Sequence, residues 1–295
     1  MGGDLGRMLA GRYRLLALLG EGGTGAVWRA RDERLDREVA AKQVRPPARP
    51  DAGWPARLDR EAGAAARLAH PGIVRVHDRI TGEDGRPWIV MELLRGCSLE
   101  ALLRTGGPLP PERVAGIGLQ LLGALGAAHL MGVTHRGIKP ANVMLDGDDR
   151  AVLTDFGMAA ASGEVVLTRP GPLVGTPAFL APEQVGGLPG TAESDLWSLG
   201  ATLFAAVEGR PPFSGDCAGA VCVAIATRRP ARPLRAGPLE PALTGLLRRN
   251  PADRLSLDQV RELLIRECPA RRPVRDGAPD PDRRRTGERP GPVAG

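Results

Sequence analysis

The chain has 295 residues, of which 42% are hydrophobic and 25% charged, and its net charge is +6. A chain of this length and composition folds as one large domain or two small ones. Aromatic residues make up only 3% of it, and the positive charge is spread along the chain without a long basic block that alternates with aromatics. This pattern argues against nucleic-acid binding.

The spacing of the four cysteines argues against a zinc-binding protein and against a disulfide-bonded one. None of the four makes a CxxC pair, so neither a zinc site nor a disulfide framework is expected, and reduced thiols in a cytoplasmic protein are predicted.

The first residues lack the basic start and apolar run of a signal peptide. Residues 114–133 are the most membrane-like window, and their glycines and polar residues favour a buried helix. We therefore expect no membrane anchor in this chain.

The first third of the chain predicts a small β-rich unit. Leucines at 15–19 lead into a glycine-rich turn, and residues 38–42 form a short apolar run that ends in a lysine. A loop at 46–55, a helix at 57–68 and two strands at 73–80 and 88–93 follow from composition and period.

From Ser98 onward the pattern is mainly helical. A long apolar helix is predicted from Pro111, because proline suits the first turn of a helix. A hairpin is predicted from 143–145 and 151–153, a glycine- and proline-rich loop follows, and helices are expected at 194–208 and 257–267. The composition turns to Pro, Arg, Gly and Asp after Cys268, so residues 269–295 are predicted to be a disordered tail.

The spacing Gly20-x-Gly22-x-x-Gly25 has two interpretations. Such glycines let the backbone approach a phosphate, but they also build ordinary tight turns. A Rossmann unit is disfavoured because the turn leads into a second strand at 27–30, and no Walker-type string occurs in the chain. The motif alone therefore leaves nucleotide binding open.

Lysine is rare in this chain. Only two of the 40 basic residues are lysines, Lys42 and Lys139, and the rest are arginine. A lysine retained in such a background suggests a task for a compact point charge that the planar guanidinium does not perform.

Several motifs now fall in a fixed order. Val39-Ala40-Ala41-Lys42 resembles the V-A-I-K strand of protein kinases, His135-Arg136-Gly137-Ile138-Lys139-Pro140-Ala141-Asn142 resembles their catalytic loop, and Asp155-Phe156-Gly157 and Ala181-Pro182-Glu183 match D-F-G and A-P-E. Over residues 11–268 the chain resembles the bacterial eukaryotic-like serine/threonine protein kinases. The resemblance implies a two-lobed α+β fold, with residues 1–10 as an extension, a small lobe at about 11–93 and a large lobe at about 95–268.

The resemblance also assigns roles to residues. It implies that Lys42 holds the ATP phosphates with Glu61 behind it, that Asn142 and Asp155 hold Mg²⁺, and that Lys139 lies near the γ-phosphate. Asp195 would brace the catalytic loop, Arg254 would pair with Glu183, and Arg136 would hold a phosphorylated Thr168 or Ser162, although both hydroxyls could equally stay unmodified. Thr176 would lie in the substrate segment. The implied ATP contacts are Leu19, Gly20, Glu21, Gly22, Gly23, Thr24, Gly25, Val27, Ala40, Lys42, Met91, Glu92, Leu94 and Met144.

Gly137 departs from the family pattern, which has aspartate at this position. That carboxylate accepts the proton of the substrate hydroxyl, and glycine has no group to replace it. Asp148 and Asp149 follow in a turn and offer no route to substitute. Two hypotheses remain: a serine/threonine kinase with weakened transfer, acting on a protein substrate, and a pseudokinase that binds ATP and acts as a scaffold or allosteric partner. A transient homodimer is compatible with either.

Overall fold

The computed structural model describes residues 4–23, 25–46, 51–147, 149–156 and 177–267. It shows a small lobe built on an antiparallel sheet and a larger lobe that is mainly helical. The expected two-lobed α+β architecture is therefore confirmed. The expectations for Thr24, Asp148, Ser162, Thr168, Thr176 and the tail lie outside the described residues.

The small lobe contains a six-stranded antiparallel sheet and one helix. The strand order is β1-β2-β3-β4-β6-β5. The elements are β1 (Met8–Leu9), β2 (Tyr13–Gly22), β3 (Gly25–Asp32), β4 (Arg37–Val44), α1 (Trp54–Ala66), β5 (Val76–Thr81) and β6 (Pro87–Glu92). The sheet begins before residue 11, the expected start of the domain, because Leu9 pairs with Tyr13 and is fully buried.

Alternation along β4 assigns its side chains to two faces. Val39 and Ala41 pack into a core on the outer side of the sheet. Ala40 joins a second apolar cluster, and Val44 packs under α1 with Trp54. Lys42 lies between Ala40 and Val44 on the inner face and is 2% exposed. Because side chains alternate between the two faces of β4, the Lys42 side chain points toward the large lobe.

The large lobe has two long apolar helices at its centre. Its elements are β7 (Cys97–Ser98), α2 (Leu99–Gly106), α3 (Pro111–Leu130), β8 (Val143–Leu145), β9 (Ala151–Leu153), α4 (Pro182–Val185), α5 (Ala192–Glu208), α6 (Ala218–Thr227), α7 (Glu240–Leu246) and α8 (Leu257–Glu267). The predicted hairpin is confirmed as β8 and β9, which pair antiparallel. The prediction for the final helix matches α8, whereas α6 and α7 were not predicted.

Helix α3 is the only described helix that is long and apolar enough to span a membrane, judged by length and composition alone. Half of its apolar window is buried inside the protein. An added Cβ at Gly118 would come within 2.8 Å of Leu264 on α8 and 3.1 Å of Leu203 on α5. The close packing of three helices at this glycine agrees with the interpretation of α3 as a core helix.

A buried ion pair braces the large lobe. Arg254 Nη1 and Nη2 donate to the two carboxylate oxygens of Glu183, each at 2.6 Å, and the arginine side chain is fully buried. Burial acts to raise the pKa of Glu183, but the hydrogen bonds from Arg254 and Ser194 outweigh it and lower that pKa below the ordinary value. The pair therefore stays ionised at neutral pH.

Removing one member of this pair is expected to cost far more than removing an exposed arginine. Arg254→Met leaves the Glu183 carboxylate without its cation, so we expect a loss of about 3–5 kcal/mol in the free energy of unfolding. The control is Arg261→Met, which breaks an exposed pair with Asp258 and is expected to cost at most about 1 kcal/mol. Urea unfolding measures both values, and equal losses would contradict the assigned role of the buried pair.

Candidate active site

The loop at residues 134–142 is held by a buried carboxylate. Asp195, in the first turn of α5, is fully buried. Its Oδ2 accepts the backbone N–H of His135 at 2.8 Å and Oδ1 accepts that of Arg136 at 2.7 Å. Arg136 has a φ of +64°, a left-handed conformation that is costly for a residue with a side chain. The carboxylate therefore stabilises a backbone shape that the loop alone would not keep.

Both ring nitrogens of His135 are engaged. Its Nδ1 accepts the backbone N–H of Gly137 at 3.2 Å, and its Nε2 lies 2.9 Å from the carbonyl oxygen of Thr154. These contacts require the neutral tautomer with hydrogen on Nε2. Burial lowers the pKa of His135 below its usual value. The imidazole is thus neutral and positions the loop, and it has no free nitrogen to accept a proton.

Asn142 ties the loop to the segment that carries Asp155. Its side-chain Nδ2 donates to the backbone carbonyl oxygen of Gly137 at 2.7 Å, and its backbone carbonyl oxygen accepts the N–H of Thr154 at 2.9 Å. The phenyl ring of Phe156 then packs on the His135 ring, with centroids 4.5 Å apart. These contacts bring the two candidate metal ligands, Asn142 and Asp155, onto adjacent segments.

Lys42 and Asp155 form the central ion pair. Lys42 Nζ lies 2.6 Å from Asp155 Oδ2, although the residues are 113 positions apart. Burial acts to raise the pKa of Asp155, but the charge of Lys42, its hydrogen bond and the charge of Lys139 lower it below the usual value. Asp155 is therefore a carboxylate at neutral pH, and both lysines of the chain act on it.

The expected pairing of Lys42 with Glu61 is not found in this structure. Instead, Arg136 Nη1 lies 3.3 Å from Glu61 Oε1, and the ammonium group of Lys42 contacts Asp155. The physical reason is that each side chain is already paired with another group of opposite charge, Lys42 with Asp155 and Glu61 with Arg136. This corrects the expectation that Glu61 stands behind Lys42 in the conformation described.

Three of the four glycines of the turn, Gly20, Gly22 and Gly25, have different surroundings. An added Cβ at Gly25 would lie 1.8 Å from the carbonyl oxygen of Gln43, and Gly25 has a φ of +137°. By contrast, nothing lies within 4 Å of an added Cβ at Gly20 or Gly22. Gly25 is therefore required by the fold, whereas the open space beside Gly20 and Gly22 leaves room for a ligand. Leu19 and Glu21 are exposed on the same strand.

Four of the expected ATP contacts meet at one apolar cluster. Ala40 and Met91 are buried there, with Val27, Leu93 and Leu94 packed against them. The cluster also contains Val74 and Val152, which the sequence analysis missed. Both lie in short apolar runs without a distinguishing motif. Met144 pairs with Val152 across β8 and β9, and Glu92 is the last residue of β6.

Gly137 lies between Arg136 and Lys139 without a neighbouring carboxylate in the loop. Asp149, one of the two acids of the following turn that were considered as substitutes, is engaged elsewhere. Its two carboxylate oxygens accept from Arg113 Nε at 2.9 Å and Nη2 at 2.6 Å. Asp149 therefore does not replace the missing group.

Comparison with protein families identifies the domain. The model described as "Protein kinase domain" matches residues 13–263. The serine/threonine-protein kinase PknD of Mycobacterium tuberculosis is 40% identical over 251 residues, covering 83% of this chain and 38% of PknD. The serine/threonine-protein kinase PkaA of Streptomyces coelicolor is 38% identical over 269 residues, covering 86% of this chain and 49% of PkaA. The chain thus spans less than half the length of these curated relatives.

Solved structures agree with this comparison. The crystal structure of the Mycobacterium tuberculosis PknI kinase domain superimposes with a TM-score of 0.69 at 28% sequence identity. The match covers 90% of this chain and all of that domain.

The glycine surroundings lead to a paired prediction. Gly25→Ala should lower the free energy of unfolding by about 2–3 kcal/mol, because the new methyl group clashes with the Gln43 carbonyl and the backbone is strained. Gly22→Ala should change it by less than about 0.5 kcal/mol, because its methyl group enters open space. Chemical unfolding of both variants checks this, and a loss for Gly22→Ala as large as that for Gly25→Ala would contradict it.

Proposed function

The chain belongs to the protein kinase family, among the bacterial serine/threonine kinases, and we propose that its cleft binds ATP with Mg²⁺ while phosphoryl transfer to protein hydroxyls is weak. The observation that carries this proposal is the contrast between two parts of one site. The buried Lys42–Asp155 pair is retained, whereas position 137 has no proton acceptor and His135 has no free nitrogen.

Nucleotide binding is supported by the residues around the cleft. The open space beside Gly20 and Gly22 leaves their backbone accessible to phosphate groups. The apolar cluster that contains Ala40 and Met91 is suited to a planar base. Lys42 supplies a buried positive charge between these two regions.

The donor set also fits Mg²⁺. Magnesium prefers oxygen ligands and is often held by one or two carboxylates together with substrate phosphates. Asp155 offers an ionised carboxylate and Asn142 a side-chain amide oxygen. The described residues contain no cluster of three or more His, Cys, Asp or Glu side chains that would hold a metal unaided, which agrees with a site completed by the nucleotide. Bound Mg²⁺ would supply positive charge to offset that of the phosphates.

The chain's own groups would position the reactants. Lys42 would hold the phosphates, and Lys139 would neutralise charge near the transferred group. Phosphoryl transfer has a loose transition state, so positioning and charge neutralisation account for much of the catalysis. The missing proton acceptor removes a factor of about 10²–10⁴ in rate, or roughly 3–5 kcal/mol of barrier. Residual transfer by the wild-type chain is therefore slow.

The Arg136–Glu61 contact supports a resting arrangement. While Glu61 contacts Arg136 and Lys42 contacts Asp155, the lysine is not paired with Glu61, the carboxylate expected to hold its rotamer against a phosphate. We propose that nucleotide binding exchanges these partners. Arg136 would then be free to hold a phosphate on Thr168 or Ser162, if either is modified, and Thr176 would lie in the substrate segment.

A second function rests on the same observation. If transfer is absent, the ATP-bound chain acts as a pseudokinase, a scaffold or allosteric partner for another protein. The retained cleft favours continued nucleotide binding, and the empty base position favours loss of chemistry. In either case we propose a cytoplasmic location and a protein as substrate or partner.

Restoring the carboxylate should separate binding from chemistry. We expect Mg-ATP to raise the Tm of the wild-type chain and of Gly137→Asp alike, because the phosphate and metal residues are unchanged. We expect autophosphorylation to rise by about 10²–10⁴-fold in Gly137→Asp, because the acceptor group returns. Lys42→Met in both backgrounds is the control, and it should abolish the Tm shift.

The outcomes of this experiment are distinct. Transfer only in Gly137→Asp supports the pseudokinase, and slow transfer in the wild type supports the weakened kinase. Wild-type transfer as fast as that of Gly137→Asp would overturn the role of Gly137. If Mg-ATP raises the Tm of neither the wild type nor Gly137→Asp, the proposed nucleotide site is wrong.

A further inference from the structure

The loop that follows α6 carries an unusual density of positive charge. Residues 228–235 read Arg-Arg-Pro-Ala-Arg-Pro-Leu-Arg and contain no acidic residue. All four arginines are exposed. Together with Arg210 and Arg249 they form a set that we call the arginine face: Arg210, Arg228, Arg229, Arg232, Arg235 and Arg249.

Backbone hydrogen bonds hold this loop against the end of α5. Glu208, the last residue of α5, accepts the N–H of Leu234 at 2.8 Å and of Arg235 at 2.6 Å through Oε1. The N–H of Ala231 donates to the carbonyl oxygen of Pro212 at 2.9 Å. The loop is therefore fixed beside Arg210, which lies between the residues that anchor it.

The other side of the loop is held by Arg249. Its Nη2 donates to the carbonyl oxygen of Arg228 at 2.6 Å and contacts that of Ile225 at 3.4 Å. These bonds use backbone oxygens and leave the charge of the guanidinium uncompensated. The contacts on both sides thus hold together the backbone segments that carry these six exposed arginines, which are spread over 40 positions of sequence.

No acid neutralises the arginine face among the residues that the structure describes. None of its six members forms an ion pair there, whereas several other exposed arginines do, as in the Arg14–Glu33, Arg45–Glu21 and Arg57–Asp51 pairs. Glu208 is buried and holds the loop backbone. Several like charges held together in this way create a strong local positive potential.

We propose that the arginine face binds an acidic, extended segment of a partner protein. Guanidinium groups bind carboxylates through paired hydrogen bonds. Pro230 and Pro233 restrict the loop, which reduces the ordering cost of binding. Leu234 is 77% exposed among the charges and offers an apolar contact. The segment 228–249 has no aromatic residue for base stacking, which favours a protein partner over a nucleic acid.

This surface is separate from the cleft. Asp195 holds the catalytic loop at the first turn of α5, and Glu208 holds the arginine face at its end. Because an α-helix rises about 1.5 Å per residue, Asp195 and Glu208 are about 20 Å apart along the helix axis. A partner on the arginine face would leave the nucleotide cleft accessible, so the surface provides docking independent of phosphoryl transfer.

The test uses the full chain and a short fluorescein-labelled peptide rich in glutamate with interspersed leucine. The variant is Arg229→Gln/Arg232→Gln, because these side chains make no hydrogen bond or ion pair among the described residues. The matched control is Arg34→Gln/Arg104→Gln, which removes the same charge at exposed arginines outside the face that also lack a described ion pair. Fluorescence anisotropy measures the Kd, and circular dichroism verifies folding.

We expect the Arg229/Arg232 variant to weaken peptide binding about tenfold and the control variant to change it less than about twofold. Equal losses in the two variants would overturn the proposal, because net charge alone would then explain binding. Absence of wild-type binding would also overturn it. Tighter binding of a single-stranded oligonucleotide or of phosphatidylserine vesicles, with the same dependence on Arg229 and Arg232, would reject a protein segment as the occupant.

Discussion

Asp195 is fully buried, and its two carboxylate oxygens accept the N–H groups of His135 and Arg136 while Oδ2 also contacts His129. This interaction holds the left-handed backbone at Arg136, from which the rest of the site follows. His135 then binds Gly137 and Thr154, and Asn142 binds the same two residues through its side chain and backbone. One carboxylate thereby aligns the loop with the segment that carries Asp155.

Lys42 and position 137 differ in what they require from the fold. A buried lysine such as Lys42 is costly without an anion, and Asp155 supplies one across 113 residues of chain. Position 137 has no side chain, and it joins the loop's hydrogen bonds through its backbone alone, to His135 Nδ1 and Asn142 Nδ2. The geometry of the loop and the Lys42–Asp155 pair are therefore both compatible with glycine at position 137.

Lysine and arginine side chains have different roles in this chain, and the roles follow from the shapes of their charged groups. The only two lysines, Lys42 and Lys139, both act on Asp155, where a compact charge is needed. Arginine serves where a planar fork meets two oxygens, as in the buried pair with Glu183. The arginine face shows a third use, in which guanidinium groups remain exposed and uncompensated on a loop that Glu208 fixes.

The sequence by itself determined the family, the two-lobed fold, the β8–β9 hairpin and the positions of the glycine turn, Lys42, Asn142 and Asp155. These features are carried by local motifs and by the periods of strands and helices. Only the tertiary structure decided that Lys42 contacts Asp155 while Glu61 contacts Arg136. It also placed Val74 and Val152 in the apolar cluster and gathered the arginine face from separate segments. The reason is that a charged group takes the nearest of several acceptable partners, and distances between residues far apart in the chain are set by packing and not by local sequence.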